Sequence, residues 1–156
     1  MNMSAKTNTV SILRIIKAPP ERVYRAFVDP DAKVRWEPPF GFVGKIHEWD
    51  CRVGGRYHMS FVNFSTGTTH SFGGEFVELV ENERVVVTDA FDDPNLPGTM
   101  RTTILLRPVV NGTELSIVQA GLPEAIPLEF CYAGWQESLV QLGQLVEFAV
   151  PDAPDM

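Results

Sequence analysis

The chain has 156 residues, is 44% hydrophobic and 21% charged, and carries a formal net charge of −7. Such a chain can bury a sizeable core, and one domain over residues 1–156 is expected, with its core from about 9 to 150. The negative charge, with no basic run against it, excludes nucleic acid or an anionic membrane as the main partner.

Met1 to Thr9 is polar and lacks the apolar run of a signal peptide. From Thr9 to Lys17, Val10, Ile12, Ile15 and Ile16 supply the β-branched content of a first strand. Ala18-Pro19-Pro20 ends it, and proline suits the first turn of the helix that follows. Val23, Tyr24, Ala26 and Phe27 keep helical spacing until Asp29-Pro30 stops it. Asp31 to Trp36 is a second short helix, halted by Pro38-Pro39. Phe40 to Gly44 reads as a loop with two aromatics, and Ile46 to Arg52 as a strand. In that strand Trp49 and Cys51 share one face; Ile46, Glu48 and Asp50 share the other.

Gly54-Gly55 is a turn, and Arg56 to Phe64 alternates with Tyr57, Met59 and Phe61 on one side. Ser71 to Val80, with a bulge expected at Gly73-Gly74, and Arg84 to Phe91 are the next strands. Thr99 to Pro108 and Thr113 to Ala120 form a hairpin around Asn111-Gly112. Glu124 to Val150 then shows a clear helical period. Leu128, Cys131, Tyr132, Trp135, Leu139, Leu142, Leu145 and Val146 fall on one half of the wheel. Pro151 and Pro154 lead into a polar tail expected to fray.

The order predicts an α+β fold. A curved antiparallel sheet of six or seven strands grips a long C-terminal helix, with two short helices after the first strand. No apolar segment reaches about 18 residues, so no membrane span is expected and the location reads as cytoplasmic. Cys51 and Cys131 are too isolated for a disulfide framework or a metal spacing, and read as small buried hydrophobes.

Ala18-Pro19-Pro20-Glu21-Arg22-Val23-Tyr24-Arg25-Ala26-Phe27, then Asp29-Pro30 and Trp36, resembles the opening of the START-like superfamily (SRPBCC, helix-grip fold). Arg52 to Tyr57, Gly74 to Leu79, Glu83-Arg84-Val85, Gly112 to Leu115 and Gly134-Trp135 are similar to one branch of it. That branch is named after the C-terminal domain of the activator of the Hsp90 ATPase homologue. The likeness runs from about Ile12 to Val146, and one departure is Asn82, where the branch usually has proline before Glu83-Arg84. It implies a cavity between sheet and long helix and fixes no reaction.

The expected ligand is a small apolar or amphipathic molecule. Trp49, Tyr57, Met59, Phe61, Phe76, Met100, Trp135 and Leu139 are the candidate walls, with Trp36 and Phe40 at the mouth. Gly134 would let the helix approach the sheet. The resemblance also implies two alternatives: a protein-interaction module regulating a chaperone ATPase in a stress response, or a cyclase or hydrolase using the same cavity.

No Ser-His-Asp order, glycine-rich phosphate loop or carboxylate pair supports catalytic residues. His47, His58 and His70 have no metal-ligand spacing, so neither metal nor cofactor is expected. His58 is either an acid–base partner of Glu78 or Asp89 or a solvent-facing strand residue. Asp50 with Arg52 and Glu78 with Arg84 read as outer ion pairs. Phe130 and Phe148, on the polar side of the long helix, either cover loops or form a homodimer contact.

Overall fold

The structure is a computed structural model and describes residues 8–153. Pro154, expected in the frayed tail, lies outside the described residues, as does the polar start up to residue 7. Strand β1 (Val10–Ile16) leads into helices α1 (Pro20–Val28) and α2 (Pro30–Trp36). Both helices carry proline in their first turn, where its missing N–H breaks no intrahelical bond. Asp29 ends α1 and caps α2. Its Oδ1 accepts the backbone N–H of Asp31 at 2.9 Å and of Ala32 at 3.2 Å.

Six strands follow: β2 (Phe42–Trp49), β3 (Arg56–Asn63), β4 (Thr69–Val80), β5 (Arg84–Phe91), β6 (Met100–Val109) and β7 (Gly112–Ala120). Helix α3 (Leu128–Val146) closes the series. The strand order in the sheet is β1-β7-β6-β5-β4-β3-β2, and every neighbouring pair is antiparallel. This is the expected α+β helix-grip arrangement.

Four local features differ from the sequence reading. α3 covers 19 residues, starting at Leu128 and stopping at Val146, a length of about 28 Å. Pro127 accounts for the late start, because it pushes Ile126 out of the helical region. β2 begins inside the expected loop, with Phe42 opposite Asn63. A bulge between Ile46 and Glu48 turns Trp49 to the same face as Ile46, where strict alternation separates them. The β4 bulge falls between Phe76 and Glu78. At Gly74 two backbones instead come so close that a Cβ would lie 1.8 Å from the Thr88 carbonyl oxygen. Asn82 takes φ 63°, a conformation closed to the proline usual in the branch.

The core has two parts. One lies under α1, α2 and the C-terminal half of α3, where Trp36, Leu115, Ile117, Leu139, Leu142 and Val146 are buried. The other is an aromatic cluster on β3 and β4, with Tyr57, Met59 and Phe76 buried against Trp49, Phe61 and Phe72. The candidate site lies between them.

Candidate functional site

Helix α3 is held along both sides. Toward β1, Tyr132 Oη accepts the Ser11 N–H at 3.2 Å, and Glu147 Oε2 accepts the Lys17 N–H at 2.8 Å. Arg22 Nη1 donates to the Val146 carbonyl at 2.8 Å, placing a cation at the helix C-terminus where the dipole favours it. Toward α2, Gln141 Nε2 donates to the Trp36 carbonyl at 2.8 Å, and the Phe40 N–H donates to Glu137 Oε1 at 3.0 Å. Between these rows the helix presents Cys131, Gly134, Trp135 and Ser138 to the sheet. Three of the four are small. A Cβ placed on Gly134 would meet nothing within 4 Å, so this glycine does not serve a close helix–sheet contact. It faces open space.

That space is a cavity of about 220 Å³ between α3 and the sheet. Trp49, Tyr57, Phe61, Phe76, Met100 and Trp135 line it. So do Phe27, Phe72, Val85, Val87, Phe91 and Ile104. Exposed residues His70 and Phe130 stand where it meets solvent.

Four candidate residues are elsewhere. Trp36 is not at the mouth. It is fully buried, its Nε1 donating to the Ala26 carbonyl at 2.7 Å and its ring edge-on to Phe27 at 4.8 Å. Lys33 lies across both rings, 5.1 and 5.2 Å from their centres, so Trp36 is one layer behind the wall. Phe40 is 54% exposed, and Pro39 takes its place in the lining. Met59 is packed solid within the aromatic cluster, and Leu139 within the core beneath the second half of α3.

The residues missed from the sequence are polar. Asp89 on β5, Thr102 on β6 and Gln119 on β7 each interrupt an apolar row on the inner face. The register sets them side by side: Thr102 pairs with Gln119, and Asp89 pairs with Met100, one inward position away from Thr102. Thr102 Oγ1 donates to Asp89 Oδ2 at 3.2 Å, and Trp135 Nε1 donates to Gln119 Oε1 at 2.9 Å. A short polar stripe therefore crosses the apolar palm and is closed by the helix.

Burial raises the Asp89 carboxyl to about 6; the Thr102 bond opposes this, Glu37 adds to it and Lys33 opposes it. Burial first, then Asp89 and Glu37, push the Tyr57 hydroxyl well above its usual value. Lys33 and Glu37 form an ion pair at the edge of the cavity. The signal for Asp89 was present: strict alternation puts it with Val85, Val87 and Phe91.

On the other face of the sheet, His58 Nε2 lies 2.8 Å from Asp92 Oδ2, with neither Glu78 nor Asp89 as partner. His47 bonds Ser60 at 2.6 Å. The Asp50–Arg52 and Glu78–Arg84 pairs, at 2.9 and 3.2 Å, are solvent-exposed. Phe148 lies past the end of α3 and is exposed. Among the described residues, no three His, Cys, Asp or Glu converge to hold a metal, and no helix is long and apolar enough to cross a membrane.

Residues 17–147 match the family described as activator of Hsp90 ATPase homolog 1-like protein. A crystal structure of a protein from Chromobacterium violaceum is 57% identical, with TM-score 0.90, covering 91% of this chain and 99% of that one. A Rhodobacter sphaeroides protein is 20% identical, with TM-score 0.78, covering 91% of this chain and 93% of its own. A Nitrosomonas europaea protein is 22% identical, with TM-score 0.75, covering 94% and 98%. These last two share the fold. No curated protein matches the chain.

Proposed function

This chain belongs to the activator of Hsp90 ATPase homolog 1-like family, and on that premise we propose that it binds a small apolar or amphipathic molecule under α3 without transforming it. One observation carries the reading. A cavity of about 220 Å³ lies beneath a helical glycine and above aromatic walls. Gly134 and Trp135 are adjacent, so the same helical turn supplies both the opening and a wall. A ligand burying about 200 Å² of apolar surface gains roughly 5 kcal/mol before ordering costs. That is enough for weak to moderate affinity.

The test is the melting temperature of the native chain and of Gly134→Phe with 2-phenylethanol, indole and 1-octanol. The native chain is expected to be stabilised by at least one of them, and the variant, with its cavity filled, by none. No shift in the native chain, or equal shifts in both, would discard the reading.

The family name favours a second reading, an interaction module acting on a chaperone ATPase. Such a module would use its outer, acidic surface rather than the cavity. A partner captured from lysate at low salt and released at high salt would support it; no salt-sensitive partner would count against it.

A further inference from the structure

We propose that the cavity selects amphipathic molecules with a protonated amine head, held by Asp89 through a charge-assisted hydrogen bond. The proposal rests on the ligand-binding reading above and names the chemistry of the ligand.

Asp89 is 6% exposed and lines the cavity. Its Oδ2 takes the Thr102 hydroxyl, and no other donor to the carboxyl is found among the described residues. Nearby donors are engaged elsewhere: Trp135 Nε1 with Gln119 Oε1 at 2.9 Å, and Tyr57 Oη with the Thr88 carbonyl at 3.4 Å. Lys33 lines the cavity edge, but it is paired with Glu37 and lies over two aromatic rings.

Lys33 is paired with Glu37 and acts on Asp89 only from a distance, so Asp89 has no ion-pair partner of its own among the described residues. A buried carboxylate in that position is costly, and burial already holds its proton affinity above the usual carboxylate range. A ligand that brings its own N⁺–H removes the deficit. An anionic head is repelled by Asp89, while the Lys33–Glu37 pair at the cavity edge balances its own charges. A neutral hydroxyl forms the weaker bond of an uncharged donor. The apolar walls then require the rest of the molecule to be aromatic or aliphatic.

The experiment is calorimetric titration at neutral pH with three probes of one shape: 2-phenylethylamine, 2-phenylethanol and phenylacetate. The native chain is expected to bind the amine roughly tenfold more tightly than the alcohol, and phenylacetate least. Asp89→Asn, which keeps an oxygen for Thr102, is expected to bring amine and alcohol within about twofold of each other. The comparison within the native chain stands even if the variant does not fold. If the alcohol or phenylacetate matches the amine on the native chain, or the folded variant keeps the amine preference, the proposal is overturned while ligand binding survives. If none of the three probes binds while indole or 1-octanol still stabilises the native chain, this proposal falls and ligand binding survives; if those fail as well, both fall.

Discussion

Asp89 makes a pH-dependent contribution to stability whose sign can be worked out. Its folded-state value of about 6 lies above the ordinary 3.8, so the folded chain holds that proton more tightly than the unfolded chain does. The contribution is favourable at low pH and is lost as pH rises through the interval between those two values. At neutral pH the full cost is present, roughly 2–3 kcal/mol at about 1.4 kcal/mol per pKa unit. Asp89→Asn is therefore expected to be about 1–3 kcal/mol more stable than the native chain at neutral pH, an advantage that shrinks by about 2 kcal/mol near pH 4. Urea unfolding of both proteins at the two pH values checks this; a difference independent of pH would contradict it. Trp36→Phe tests a different assignment. Losing the buried bond to the Ala26 carbonyl, along with ring volume, is expected to cost about 2–4 kcal/mol without changing probe affinity. At this scale alternation alone separates Asp89 from its outward neighbours Thr88 and Ala90. It reveals nothing of Lys33, which covers the Trp36 ring from three residues earlier on α2 and so follows the helical period and not the strand period.

The elements were the most legible part of the sequence, because proline, Asp29 and the helical period act locally. Their edges and irregularities were less so. The bulge before Glu48 has no glycine to mark it, yet it decides whether Trp49 faces the cavity. Gly134 was visible as a helical glycine, but its purpose was not. Only the depth of the sheet beneath it shows that the position is open. Two substitutions separate propensity from space. Gly134→Ala adds a methyl that meets no neighbour and is expected to stabilise the chain by about 0.5–1 kcal/mol. Thermal or chemical unfolding reads this; a destabilised alanine variant would mean the helix backbone there is closer to the sheet than the structure has it. Gly134→Phe is expected to keep the fold and lose ligand binding, which titration with 2-phenylethanol reads.

Across the whole molecule, the site exists because the core is packed at both ends and not in the middle. At one end α1, α2 and the second half of α3 close over β1, β6 and β7. At the other, Tyr57, Met59 and Phe76 fill the space under β2 to β4. α3 bridges the gap, and its bonds to β1 on one side and to the segment after α2 on the other keep it from settling onto the sheet. The sequence could show that a sheet grips a helix, since both faces are patterned. It could not show where packing stops, because the same aromatic residues serve as core or as wall. The three tryptophans now discriminate. Each indole N–H is fixed by a bond, Trp36 to Ala26, Trp49 to Val28 and Trp135 to Gln119. Only Trp49 and Trp135 border the cavity. The most direct measurement is the set of three indole N–H resonances in a ¹⁵N-labelled sample titrated with 2-phenylethanol. The account predicts that the signals of Trp135 and Trp49 move together and saturate while that of Trp36 stays in place; no movement, or a shift of Trp36 as large as the others, would contradict it.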